Sequence, residues 1–287
     1  MSTVELAAPR TLEGVFPLLA PDDTLLVGGG TALSLLMKAH LVAPRRLVWL
    51  GKVSALQNVS VQDGVLRIGS GVTLHSISES ELVRRHCPSL AAAARQAANV
   101  RVRAVATIGG HLAHADPRQD LPPVLLAAGA SVELASASST REVRVDDLIV
   151  SFMETQITSE EVLTYVSVPV EARRRETYLR FSPRSCEDFP TVGVAAAVTT
   201  DGAGRVIHAS VGVGAVGSRA SLHRQLSPLH FGEGLTESLA DAAAASVAEA
   251  IEPIADHRGS ERYKRHVTFV LVKRALRGCV ATNENGA

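Results

Sequence analysis

Short apolar runs and helix-length apolar stripes take turns along the first 170 residues. A helix is expected over 11–20, then the strand "TLLVGGG" at 24–30 and a helix over 31–41. "RRLVWLG" and "GVLRIGSGVTL" read as short strands, "SLAAAARQAANV" at 89–100 as a helix, and "ATIGG" as the end of another strand. In "LPPVLLAAGASVEL" proline stands near a helix start and Gly129 at its stop, with a strand beyond. "EEVLTYVSVPV" at 160–170 closes this section as a strand, and the charged run "EARRRE" at 171–176 suits either a linker or a solvated strand end. The order then changes. "TYLRFSPRSCEDFPTVGVAAAVTTDGAGRVIHASVGVGAV" predicts two or three strands with a hairpin at "DGAGR", followed by the helices "SLADAAAASVAEAIEP" and "SERYKRHVTFVLVKRALRGCV". Alternation followed by segregation predicts an α+β (α/β) chain of two units, 1–172 and 173–287.

Composition narrows the function classes. With 287 residues, 46% of them hydrophobic, the chain can bury a sizeable core. Lys+Arg and Asp+Glu balance at 29 each without a basic block, which removes nucleic acid from the expected partners. The opening "MSTVELAAPRTLEGVFPLLA" lacks a charged segment followed by an apolar one. No apolar run reaches the ~18 residues that suggest a bilayer span, so a cytoplasmic location without a membrane span is expected. Cys87, Cys186 and Cys279 stand far apart with no C-x-x-C pair, against a disulfide framework, a zinc site or an iron–sulfur cluster held by this chain alone. Redox chemistry here would therefore use an organic cofactor.

Two glycine clusters carry the candidate chemistry. "LLVGGGTALSLLMK" at 25–38 is a strand, three glycines and a helix start, where unpaired N–H groups form a phosphate seat or the glycines merely make a tight turn. It is neither a P-loop, lacking G-K-[ST], nor the dinucleotide fingerprint, because Leu33 stands where a third spaced glycine belongs. "ATIGGHLAHADPRQDLPP" at 106–123 adds Gly109 and Gly110, with Asp116 and Asp120 as acceptors for hydroxyl groups. Asp120 also suits the N-cap of the following helix. His111 and His114 lie three apart beside Asp116, but no fourth ligand is evident and no metal site is expected. Neither a G-x-S-x-G elbow nor a recognisable Cys–His pair supports a nucleophilic triad.

"GGGTALSLLMK", "ATIGGHLAHADPRQDLPPVLLAAGASVEL", "YLRFSPRSCEDFP" and the closing "HRGSERYKRHVTFVLVKRALRG" together resemble the FAD-binding medium subunit of the molybdenum hydroxylases. That family includes carbon monoxide dehydrogenase and xanthine dehydrogenase. The resemblance implies a two-lobed PCMH-type (vanillyl-alcohol-oxidase-like) FAD-binding domain over 1–172, with FAD extended between its lobes. It implies a small α+β CO-dehydrogenase-flavoprotein C-terminal domain over 173–287. The pyrophosphate-wrapping turns would be Gly28, Gly29, Gly30, Thr31 and Ala32, and Thr107, Ile108, Gly109, Gly110 and His111, binding through backbone N–H groups. Asp120 would lie near the flavin and the adenosine portion, Asp116 against the ribityl chain or a ribose, Leu163 against the isoalloxazine where its residue type also suits ordinary core, and Arg180 as a cation beside the flavin or else as a solvated strand residue. Arg184 and Asp188 match a further motif and are expected to pair.

The chain departs from the family pattern at Ala32, Arg101, Ala104, Val105 and His111. Losing two or three side-chain hydrogen bonds there would weaken FAD binding by about one to three decades. The implied activity is electron transfer: electrons arrive from two [2Fe–2S] clusters and leave through FAD to a quinone, NAD or oxygen. The implied partners are a small iron–sulfur subunit and a large molybdopterin subunit in a dimer of heterotrimers. The departures also suit a stand-alone FAD oxidoreductase, or a scaffold subunit that has lost its cofactor.

Overall fold

The computed structural model describes residues 4–19, 23–224, 226 and 234–280. Ala20, and the outermost residues of both expected units, lie outside the described residues. The chain opens with a parallel sheet of β1 (Glu5–Ala7), β2 (Thr24–Val27) and β3 (Arg46–Trp49), ordered β1-β3-β2. The helix expected over 11–20 is one turn, α1 (Leu12–Val15), capped by the Thr11 hydroxyl and continued as a 3-10 turn where Pro17 enters. The next helix, α2 (Thr31–Lys38), stops short of residue 41 because His40 takes a left-handed φ of 57°. Val15, Val48, Val53 and Leu56 form a small core under this lobe.

The second lobe is built on an antiparallel sheet. Its elements are β4 (Val59–Gln62), β5 (Val65–Gly69), α3 (Leu74–Glu79), α4 (Glu81–His86), α5 (Pro88–Gln96), α6 (Val100–Arg103), α7 (Ile108–His114) and α8 (Leu121–Ala127). They continue with β6 (Ser131–Ala135), β7 (Thr140–Arg144), α9 (Val145–Leu148), the hairpin β8 (Ile149–Ser151) and β9 (Glu154–Thr155), and β10 (Val162–Pro169). The sheet order is β4-β5-β10-β6-β7. The helix expected over 89–100 breaks after Gln96, where Ala98 has φ 47° and the Asn99 carboxamide caps α6. "ATIGG" does not end a strand. Thr107 makes one isolated bridge to Thr73, and its hydroxyl accepts from the Gly110 N–H, so the segment turns into α7 at once.

The last part holds β11 (Arg174–Phe181), β12 (Val192–Thr200), β13 (Val206–Gly214) and β14 (Ser221–His223), antiparallel in chain order, then α10 (Glu237–Ala250) and α11 (Glu261–Val280). The "DGAGR" hairpin forms, with the Asp201 carboxylate accepting from the N–H groups of Ala203 and Arg205. One face of this sheet shares a core with α10 and α11. The other packs on α5 and α8, and Tyr178, Ala195 and Ala197 join the core of the second lobe. Cover on both faces explains why β12 is almost wholly apolar. "EARRRE" divides: residues 171–173 form an exposed turn joining β10 to β11, whereas Arg174 and Glu176 belong to β11, with side chains 4% and 2% exposed that pair at 2.6 Å.

One close approach between the two parts is backbone to backbone. A Cβ on Gly212 of β13 would sit 2.0 Å from the Pro123 carbonyl oxygen of α8. Gly212→Ala should therefore lower the unfolding free energy by about 1–3 kcal/mol, read from urea denaturation. An unchanged midpoint would show that α8 moves aside freely.

Candidate functional site

Three glycine-bearing segments, the ends of β2 and β5 and the start of α7, converge between the two lobes of the first unit. A Cβ on Gly28 would meet the Thr107 hydroxyl at 2.5 Å, and one on Gly29 would meet the Val105 carbonyl oxygen at 1.9 Å. Gly109 is pressed in the same way on Ser70, at 2.6 Å from its Cβ, and Gly69 on the Leu56 carbonyl, at 2.3 Å. The cleft they leave is lined by Leu26, Gly28, Leu50 and Gly51 of the parallel-sheet lobe and, opposite, by Ser70, Gly71, Thr107, Gly109, Gly110 and Leu163 among others. It thus gathers five of the sequence-derived site residues: Gly28, Thr107, Gly109, Gly110 and Leu163. Ser70, Gly71, Gln57 and Glu161 were not singled out from sequence. The signal for Ser70 and Gly71 was the glycine pair closing the strand run "RIGSG".

The two turns differ in what their amides can do. In the second, Ile108 N–H donates to Val72 O, Gly109 N–H to Ser70 O and Gly110 N–H to the Thr107 hydroxyl. His111 N–H closes the first helical turn on Thr107 O, and the Ile108 side chain is fully buried in the core. In the first turn Gly30 takes φ 71°, and α2 begins at Thr31 with no side-chain cap. The amides of Thr31, Ala32 and Leu33 therefore carry the open donors and the positive end of the helix dipole.

Asp116, Asp120 and Arg180 do not line the cleft. Arg118 grips the buried Asp116 at 2.9 and 2.6 Å, and although burial opposes its charge, those bonds hold its pKa below the ordinary value. Asp120 is not a side-chain cap of α8. Its carboxylate accepts from the Tyr178 hydroxyl at 2.6 Å and pairs with Arg180 at 3.2 Å, across to β11. Burial pushes the Asp120 pKa up to about 6 against the pull of Arg180 and the Tyr178 hydrogen bond. Arg180 is no solvated strand residue; its side chain is 5% exposed and also donates to Gln96 O and the Ser182 hydroxyl. Asp188 pairs with Arg258 at 2.9 Å rather than with Arg184. His111 is lowered to about 4, first by burial and then by His114, and its Nδ1 has no hydrogen-bond partner. Among the described residues no group of three or more His, Cys, Asp or Glu side chains is placed to hold a metal.

The model of the FAD binding domain in molybdopterin dehydrogenase matches residues 2–171, and that of the CO dehydrogenase flavoprotein C-terminal domain matches 177–279. The chain belongs to the FAD-binding medium subunits of the molybdenum hydroxylases. It is 29% identical to the nicotine 6-hydroxylase medium subunit of Paenarthrobacter nicotinovorans, over 96% of this chain and 97% of that one. Among solved structures it is similar to carbon monoxide dehydrogenase from Hydrogenophaga pseudoflava, with TM-score 0.92, 28% identity and 97% of both chains covered. Quinoline 2-oxidoreductase from Pseudomonas putida 86 gives TM-score 0.91 and 30% identity over 98% of both. As a molybdenum-hydroxylase medium subunit, the chain is an FAD-binding oxidoreductase subunit with the two-domain architecture of that family.

Two buried groups of the subunit titrate in one pH range with opposite effect. Asp120, raised from 3.8 to about 6, binds its proton more tightly folded than unfolded, so its contribution to stability falls as pH rises through about 6. His111, lowered from 6.5 to about 4, binds its proton less tightly folded, so its contribution grows as pH rises from about 4 to 6.5. Unfolding free energy measured between those limits should rise more steeply with pH in Asp120→Asn and less steeply in His111→Asn. Parallel curves for both variants would mean that neither group is perturbed.

Proposed function

We propose that this subunit carries electrons from the [2Fe–2S] clusters of a small partner, through its FAD, to a quinone, NAD or oxygen, with a large molybdopterin subunit as the primary site of substrate oxidation. The observation that carries the reading is the cleft between the lobes, walled by five glycines, of which Gly28 leads within three residues into the start of α2, where no side chain caps the helix. Bound FAD supplies the exchange between one-electron and two-electron traffic. The chain's own residues bind and orient it. The Gly28, Gly29, Gly30, Thr31 and Ala32 segment seats the pyrophosphate on open amides. Thr107, Ile108, Gly109, Gly110 and His111 form the opposite wall, shaping it through their mutual bonds more than by donating outward. Leu163, buried on β10, offers an apolar surface to the flavin ring. Asp120 and Arg180 hold each other at the boundary of the two parts, and Asp116 is fixed by Arg118, so these three act on the cofactor only through the fold around the cleft. The same reading gives a dimer of heterotrimers in the cytoplasm. No helix among the described residues is long and apolar enough to cross a membrane.

The purified chain, with FAD added and excess removed, should show bands near about 370 and 450 nm and release roughly one FAD per chain. Gly29→Ala, whose Cβ meets the Val105 carbonyl, should lose at least about tenfold in FAD affinity, measured by flavin fluorescence. A colourless wild-type chain, alone and with its partner subunits, would sink the flavoprotein reading. Full FAD occupancy without reduction by the iron–sulfur subunit would sink the electron-transfer step alone.

A further inference from the structure

A second cavity, of about 340 Å³, opens where the first unit meets the sheet of the second, and it shares no lining residue with the glycine cleft. The carboxyl-terminal end of α8, the end of β7, the connection from β10 to β11, and β13 surround it. Three guanidinium groups line it, those of Arg144, Arg174 and Arg224, together with His208, Ser210 and a single carboxylate, Glu171.

The acceptors near these cations are already engaged. Ala127 O takes the Ser210 hydroxyl at 2.6 Å, and Ala128 O takes Arg174 Nη1 at 3.3 Å. Glu171 accepts from the Thr199 hydroxyl at 2.6 Å and stands 3.8 Å from Arg174. Glu176, off the cavity wall, holds Arg174 Nε at 2.6 Å. Yet Nη2 of Arg174, on a side chain 4% exposed, has no partner. Arg144 and Arg224 are exposed and make no hydrogen bond or ion pair through their side chains to any described residue. A buried guanidinium N–H left open is costly, and planar guanidinium forks match the oxygens of phosphate.

We propose that this cavity binds a small phosphate-bearing molecule, held by Arg144 and Arg224 at the mouth, with the buried positive charge of Arg174 behind them. The volume lies at the small end of ligand sites, about 300–1,000 Å³, which suits a compact phosphate monoester. This site is independent of the flavin reading.

The test is a calorimetric titration of inorganic phosphate into the full chain at constant ionic strength, run both with and without FAD. One saturable site at about millimolar phosphate is expected. Arg144→Gln combined with Arg224→Gln should weaken it by about tenfold or more, and because neither pairs with a described residue the buried Arg174–Glu176 contact stays in place. Absence of saturable binding, or equal affinity in the double variant, would overturn the proposal. So would loss of phosphate binding in Gly29→Ala with none in the double variant, since that would put the anion at the glycine cleft.

Discussion

The structure depends on places where a side chain has no room. Gly29 lies on the Val105 carbonyl, Gly69 on that of Leu56, and Gly109 on the Cα and Cβ of Ser70. Each contact lets two chain segments approach at backbone distance, and together they fix how the parallel-sheet lobe meets the antiparallel one. The cost falls on the second turn, whose amides are engaged in holding Val72, Ser70 and Thr107. The first turn is freed by the same arrangement, because its glycines supply the approach while no side chain caps the helix behind them.

A second constraint acts along β11. Arg174, Glu176, Tyr178 and Arg180 alternate onto one face of the strand, and each reaches a different point of the layer beneath. Arg174 meets Ala128 at the end of α8, Glu176 meets Ser89 at the start of α5, Tyr178 meets Asp120 before α8, and Arg180 meets Gln96 at the end of α5. The intervening Leu179 and Phe181 turn to the core shared with α10 and α11. Buried pairs of this kind add little net stability because desolvation offsets attraction. What they supply is register: a slip of one residue would place four polar side chains in the apolar core and two apolar ones against α5 and α8.

That ladder shows what was legible and what was not. Element order, both glycine turns and the "DGAGR" hairpin follow from local chemistry, so the sequence pattern carries them. Arg180 reads as a cation beside the flavin or a solvated residue because its partner Asp120 is sixty residues away, and no local pattern announces the pairing. Asp120 reads as a cap because it precedes a proline-started helix, but with φ −80° and ψ −29° it is already helical, and its carboxylate turns to Tyr178. Asp188 reads as a partner of Arg184 by proximity in sequence, whereas Arg258 arrives from the connection between α10 and α11. In each case the missing term is a long-range contact between polar or charged side chains.

The departures from the family pattern weigh differently once these contacts are known. Ala104 and Val105 are exposed, and what Val105 contributes at the cleft is its carbonyl, which any residue type would present. His111 keeps its main-chain bond to Thr107, and the change there is confined to a side chain whose Nδ1 stands unpartnered. Ala32 sits in the first turn of α2, where the open donor is the N–H itself. The substitutions thus fall on side chains, while the seat proposed for the pyrophosphate is main chain throughout. A decades-wide loss of affinity presumes that those side chains bind the cofactor, whereas the proposed seat gives that work to the backbone.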